Sequence, residues 1–466
     1  MKPSTSGTDS LVAFRNSQGI EGRGTLVHLT RNQVVFEVYN PYSIVQLSEV
    51  LGELRILRGD RTIYAGRAVV SSLVSTGLMV IVSATLVDPW SDLVGLGPGE
   101  GVRDEVREFV REWETIYRLR PSYQLAVSNV RSFLGELSRW LGQVEAVSGL
   151  GASSGDPSLV SEFVEEVEEP VTPKLQELFG RFEEEAGQVP EDELDAHKAF
   201  ARREIHPLAL CSPFVHRTYT KPLGYAGDYQ MVNMILEKPL EGQNTYARVL
   251  NSFNLSQPTA EAHRNRIAIL RERLRQEAAR AAGLGRPLRV LNVGCGPAAE
   301  VERFIREDEE SSRCEITLID FNRETLDHAE ARLTRARQDS GRRPTLHFVH
   351  KSIHQLLREA AGGRSEQADE PPWGLVYCAG LFDYLSDRVC KRLVALFREW
   401  TAPGGLVVVT NVHPSNPTRY YMEHLLEWYL TYRTEDDMLG LAPDPAEARV
   451  FADPTGLNVF LEIRKG

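Results

Sequence analysis

Beyond Pro287 the chain repeats one pattern: a short apolar run, a turn, then a stretch of helical periodicity. PLRVLNVGCG is followed by AAEVERFIRE, CEITLIDFN by RETLDHAEARLTRAR, and PTLHFVHKS, GLVYCAGL and LVVVTNV supply three further runs. This alternation constrains the fold more than any other feature. Strand–helix–strand units pack as a parallel sheet with helices on its faces, the doubly wound α/β arrangement. At the end, ARVFADPTGLNVFLEIRK reads as two apolar runs joined by Asp453-Pro454-Thr455-Gly456, a terminal antiparallel hairpin.

Two regions of different character precede it. From about residue 10 to 90, GRGTLVHLT, QVVFEVYN, GELRILRGDRTIYAGRAVVSSLV and TGLMVIVSATLV are rich in β-branched residues. They are separated by turn signals at Asn40-Pro41, Gly59-Asp60 and Thr76-Gly77. Short strands at this spacing predict a small β-barrel over 1–92. DLVGLGPGEG then reads as a linker. Over 102–280, segments such as DEVREFVREWETIYRLR and VRSFLGELSRWLGQV place apolar residues three and four apart, predicting a helical domain interrupted at SGLGASSGDP. Its acidic runs, EEVEE and EEE, read as solvated helix faces.

Composition narrows the function. Acidic residues outnumber basic ones, 65 to 53, for a net charge of −12, which argues against a nucleic-acid partner gripped through a basic surface. The five cysteines form no C-x-x-C pair, so neither a disulfide framework nor a thiolate metal site is expected, and a reducing cytoplasm fits. MKPSTSGTDSLVAF has no apolar core of a secretory signal, and no apolar run is long enough for stable membrane insertion.

The strongest chemical signal is Asn292-Val293-Gly294-Cys295-Gly296-Pro297-Ala298, between the first strand and its helix. Glycines there permit a sharp turn and the close approach of a nucleotide, and Asp320 at the tip of the second strand is placed for ribose hydroxyls. Gly294, Gly296 and Ala299 equally satisfy a dinucleotide fingerprint. Ala402-Pro403-Gly404-Gly405 before the fifth strand, together with the terminal hairpin, resembles class I S-adenosylmethionine-dependent methyltransferases. The resemblance implies a Rossmann-like seven-stranded sheet, S-adenosylmethionine as cofactor, and contacts to it from Asn292, Gly294, Cys295, Gly296, Asp320, Phe321, Ser352, Ala379 and Gly380. Two positions depart from that family: Asn292 replaces its usual acidic residue, and Ala298 its third glycine.

Lys221-Pro222-Leu223-Gly224-Tyr225-Ala226-Gly227-Asp228-Tyr229, Ala262-His263-Arg264-Asn265-Arg266, Leu381-Phe382-Asp383-Tyr384-Leu385-Ser386-Asp387 and the segment from Trp428 to Thr434 extend the likeness. From about Pro207 onward the chain resembles bacterial proteins described as biosynthetic for the extracellular factor 3-hydroxypalmitic acid methyl ester. That resemblance implies carboxyl O-methylation of a 3-hydroxy fatty acid. On the residues themselves, the GYAGDY loop is a candidate cap over the cofactor cleft, the alternative being a packing turn. Asp228, Tyr229, Asp383 and His413 are the candidate catalytic groups, and Tyr225, Arg264, Tyr384, Asn411 and Arg433 the candidate acceptor contacts. A carboxylate acceptor is already ionised and needs a clamp, whereas an amine, imidazole or hydroxyl acceptor needs a base. Two other functions stay open: N- or O-methylation of another metabolite, and a scaffold that only senses the cofactor.

GRGTLVHLTRNQVVFEV resembles PilZ-type barrels, which bind cyclic di-GMP. The family's D-x-S-x-x-G positions fall on His28, Thr30 and Gln33, and its R-x-x-x-R is missing. The barrel is therefore expected to have lost nucleotide binding or to dock a protein partner or a second copy, through itself or the helical domain.

Overall fold

The computed structural model describes residues 10–30, 32–39, 45–58, 61–75, 79–90, 118–148, 157–361 and 372–466, with isolated residues between 103 and 113. The turns at 40–41, 59–60 and 76–77, the linker at 92–101 and most of 104–117 and 148–157 lie outside the described residues.

Six antiparallel strands close a barrel in the order β1-β2-β3-β6-β5-β4: β1 Ser10–Arg15, β2 Glu21–Leu29, β3 Gln33–Tyr39, β4 Val50–Arg58, β5 Arg61–Ser75 and β6 Met79–Leu86. Alternation sets the interior, since Val12 and Phe14 of β1 and Val34, Phe36 and Val38 of β3 are buried while their neighbours face out. The sequence motifs point to β2–β6 but pass over β1, whose pairing with β4 closes the ring. Thr30 and Gln33 bond each other across the β2–β3 turn.

The helices are α1 Pro121–Ser148, α2 Pro157–Ala186, α3 Leu194–Ala209, α4 Pro213–Thr220, α5 Tyr229–Glu237, α6 Thr245–Leu255 and α7 Pro258–Gly283. Their core takes in Tyr123, Val127, Leu175, Phe182, Ile205 and Phe253. It also takes in Tyr421, Met422, Leu425 and Trp428, from a segment that follows the fifth strand of the C-terminal sheet. The helical region is thus completed by chain from beyond residue 412.

The remaining strands are β7 Leu288–Val293, β8 Cys314–Asp320, β9 Thr345–His350, β10 Trp373–Cys378, β11 Thr401–Val412, β12 Ala448–Ala452 and β13 Asn458–Arg464. They form one seven-stranded sheet in the order β12-β13-β11-β10-β7-β8-β9. Pairs from β11 to β9 are parallel, and β13 runs antiparallel between β11 and β12. This is the doubly wound arrangement with a terminal hairpin that the alternation predicts, and the Rossmann-like seven-stranded sheet that the resemblance implies. Ala402-Pro403-Gly404-Gly405 lies inside β11, not before it; the register against β10 shifts there, and Gly404 has φ +72°. Reversal of strand order between β7 and β10 opens a crevice at their C-terminal ends. Further helices are α8 Ala299–Glu307, α9 Arg323–Ser340, α10 Ile353–Ala361, α11 Asp387–Trp400, α12 Arg419–Leu425 and α13 Glu435–Leu439. Among the described residues no helix is long and apolar enough to cross a membrane.

Candidate functional site

At the end of β7 the backbone turns through Gly294 (φ +69°) and Gly296 (φ +53°), a conformation that glycine adopts without a Cβ clash. Asp320, at the tip of β8, accepts the Gly296 amide at 3.1 Å and the Asn322 amide at 3.0 Å. It is buried, and burial pushes its carboxyl up to about 6. Ala298 also has a positive φ, +51°, so α8 begins on a strained residue. Asn292 donates to Glu300 at 3.1 Å, and the Tyr377 hydroxyl donates to the same oxygen at 2.8 Å. Glu300 lies in the first turn of α8, where burial raises its pKa.

One cavity joins this turn to the tips of β10, β11 and β13. Cys295, Asp320, Phe321, Ala379 and Gly380 line it, together with Asp383, Tyr384, Tyr225 and Tyr229. Asp383 accepts the Val412 amide at 2.7 Å, and burial pushes its carboxyl up to about 6. The Tyr384 oxygen accepts from Trp428 Nε1 at 2.9 Å, which leaves the phenol proton free for another acceptor. A Cβ on Gly227 would stand 2.9 Å from that oxygen, so the glycine in GYAGDY makes room for Tyr384.

Arg266, on the cavity face of α7, is a residue the motifs quote but the spacing does not single out. It is 6 % exposed, and its Nε and Nη1 have no hydrogen-bond partner. A Cβ on Gly380 would come within 3.1 Å of Nη1, so glycine at the β10 tip admits the guanidinium. Burial lowers the Arg266 pKa, and the charges of Asp383 and Glu300 act against that shift. One turn earlier, His263 Nδ1 donates to the Thr259 carbonyl at 3.0 Å. Burial drives its pKa down to about 3, leaving a neutral ring whose Nε2 can accept. Asn458 donates to the Ala262 carbonyl while its buried Oδ1 has no partner.

Several expected site residues are engaged elsewhere. Asp228 caps α5 by accepting the Met231 amide at 2.8 Å and pairs with Arg217 at 2.8 Å; it does not line the cavity. Tyr229 lies at the rim, donating to Glu324 at 2.8 Å with its ring against His328. Tyr225 packs edge-on against Phe321, 4.9 Å between centroids, next to the tip of β8. Arg264 pairs with Glu261 and donates to the Ile235 and Leu255 carbonyls, since two residues along a helix from Arg266 it faces away from the cavity. Arg433 directs all five donors inward, to Asp387 twice and to Phe382 O, Leu385 O and Asn411 Oδ1. Asn411 in turn donates to the Val412 and Thr431 carbonyls. His413 bonds Ser415 and approaches Glu435 at 3.4 Å, outside the cavity. Ser352 accepts the Gln355 amide at the start of α10, while its neighbours Lys351 and Ile353 reach the cavity instead. Among the described residues no group of three His, Cys, Asp or Glu is gathered to hold a metal ion.

The chain matches no protein-family model and no curated protein. Solved structures similar to it include a possible exported protein from Bordetella parapertussis (16 % identity, TM-score 0.40, covering 74 % of this chain and 99 % of that one). Another is magnesium protoporphyrin IX methyltransferase from Synechocystis PCC 6803 with bound SAH (11 %, TM-score 0.33, 44 % and 84 %). A third is an N-methyltransferase from Bradyrhizobium japonicum in complex with S-adenosyl-l-homocysteine (14 %, TM-score 0.29, 51 % and 97 %).

Proposed function

We propose that the chain is an S-adenosylmethionine-dependent methyltransferase acting on a small molecule with an apolar body. The observation that carries this is the unpartnered, buried Arg266 guanidinium, in a cavity that also holds the Gly294/Gly296 turn, Asp320 and Glu300. A nucleoside bearing an amino acid fits that set. Asp320 suits ribose hydroxyls, Arg266 a carboxylate, and Glu300 an ammonium, the charge that Asn292 cannot offer. When bound, the sulfonium supplies an electrophilic methyl group. The protein's part is then to align the acceptor and exclude water.

The other half of the cavity is apolar, built from Phe214, Ile235, Met422, Leu426, Trp428 and Leu430. This favours an acyl or aromatic body, and we infer carboxyl O-methylation of a 3-hydroxy fatty acid as the reaction. A carboxylate needs no base, and the free proton of Tyr384 can donate to it. His263, neutral down to about pH 3, is too weak a base to deprotonate an alcohol or amine, but its Nε2 can accept a hydrogen bond from a hydroxyl. The Asp383 carboxyl at about 6 keeps a second reading open, N- or O-methylation with Asp383 as the base.

Labelled S-adenosylmethionine incubated with cell extract, followed by mass spectrometry of the product, tests both. A methyl group released by mild alkali identifies an ester; an alkali-stable product identifies the second reading. Binding of S-adenosylhomocysteine without turnover on any extract would favour the sensing scaffold, and tighter binding of a nicotinamide dinucleotide would overturn the assignment altogether.

A further inference from the structure

The N-terminal barrel touches the cavity. Gln18, from the β1–β2 turn, and Gln46 and Leu47, from the segment before β4, are among its lining residues. They are held there from both sides. Within the barrel, the buried Glu49 carboxylate accepts the Ser17 amide and hydroxyl on one oxygen and the Gln46 amide, at 2.8 Å, on the other. A single carboxylate thus ties together the two turns that face the cavity.

Toward the rest of the chain, Ser48 adopts a left-handed backbone (φ +60°), strain that persists only where surrounding contacts fix it. Its hydroxyl donates to the Tyr429 carbonyl at 2.8 Å and accepts the Tyr429 amide. The Val50 amide donates to the Gly224 carbonyl at 2.7 Å. Gly224 opens the GYAGDY loop and lies against Ser17, since a Cβ there would be 3.2 Å from the Ser17 Cβ. The barrel is therefore joined to Trp428 and Leu430, the cavity-lining neighbours of Tyr429, and to the loop that carries Tyr225.

We propose that the barrel is a wall of the acceptor site, and that Leu47 and Gln46 contact the apolar body of the methyl acceptor and limit its length. This rests on the reading above that the cavity takes a methyl acceptor with an apolar body. It gives the barrel a function distinct from nucleotide binding or partner docking: selection of the acceptor by a residue more than 200 positions before the cofactor turn.

The test uses the full chain and a photoreactive diazirine analogue of palmitic acid, with labelled residues mapped by mass spectrometry and unlabelled palmitate as competitor. The expected result is competable labelling on residues 46–48. Labelling confined to the helical region and sheet, or no competable labelling, overturns the proposal. Leu47→Asp should lower competable labelling at least tenfold, and Leu47→Phe should shift preference to shorter-chain competitors, each with S-adenosylhomocysteine affinity within twofold by calorimetry. Unchanged labelling and selectivity in a folded Leu47→Phe protein counts against the proposal. Absence of S-adenosylhomocysteine binding by the unaltered chain is a separate result, the failure of the methyltransferase reading itself.

Discussion

Arg266→Met separates a ligand anchor from a structural strut. In the free protein the guanidinium is 6 % exposed with Nε and Nη1 unpartnered, and its neighbours Asp383 and Glu300 have their own hydrogen bonds. A buried cation in that state destabilises the fold. Replacement by an apolar side chain of similar length relieves the unmade hydrogen bonds, a cost of about 1–3 kcal/mol, against which the lost attraction to Asp383 and Glu300 counts, so the Tm of the ligand-free protein should be unchanged or higher. On the reading proposed above, the same change removes the partner of the cofactor's carboxylate. Loss of one member of a buried charged pair weakens binding by about 2–5 kcal/mol, roughly 30-fold to a few thousandfold for S-adenosylhomocysteine. Methylthioadenosine lacks the amino-acid part and should bind within twofold of the unaltered chain. Scanning calorimetry and titration calorimetry on one preparation read all three quantities. A less stable variant that binds S-adenosylhomocysteine normally would refute the reasoning, because Arg266 would then be a strut.

Asp320→Asn keeps the shape but removes the charge beside the ribose position and should weaken S-adenosylhomocysteine by about 1–3 kcal/mol in titration calorimetry. Arg433→Lys replaces five directed donors with three and leaves carbonyls buried without partners, so Tm should fall by an amount equivalent to about 2–4 kcal/mol with cofactor affinity within threefold. His413→Ala, outside the cavity, should leave turnover of labelled cofactor within twofold. Burial holds Glu49 and Glu183 at about 7 and Asp320 and Asp383 at about 6, above their ordinary 4.5 and 3.8. These four carboxyls therefore bind more protons in the folded chain than in the unfolded one between about pH 4 and 7, a contribution to stability that is lost as pH rises. Below about pH 6.5 it is opposed by the buried His263 and His424, whose lowered pKa values leave the unfolded chain with the extra protons. Above about pH 6.5 the histidines are neutral in both states and Glu49 and Glu183 still titrate, so the ligand-free Tm should fall between about pH 6.5 and 7.5, and a rising profile there would contradict the burial argument.

The sheet was legible because its strands are buried on both faces, which writes them as unbroken apolar runs such as LVVVT. The hairpin at Asp453–Gly456 was legible because turn chemistry is local. The make-up of the helical core was not, since Tyr123 meets His424 at 2.9 Å across 301 positions and no local period reports such a pairing. β1 went unmarked for a similar reason: Val12 and Phe14 alternate correctly, but only closure against β4 gives six residues a place in a barrel.

In the site, backbone requirements could be read and side-chain commitments could not. Gly294, Gly296 and Gly380 stand where positive φ is needed, and a sequence records that need directly in the residue type. An arginine records only its charge. Arg264, Arg266 and Arg433 look equivalent as anion clamps, yet what decides between them is how many donors each has already given to neighbours. Arg433 has given five, Arg264 three to the chain around it, and Arg266 retains at least two. A fully bonded buried cation is a brace, and changing it breaks the fold. A buried cation short of partners is tolerable only if something anionic completes it. Incomplete hydrogen bonding at high burial is therefore the mark of a binding residue in this cavity. The same criterion that selects Arg266 selects the orphaned Asn458 oxygen as the place where a ligand's own hydroxyl or amine proton would go.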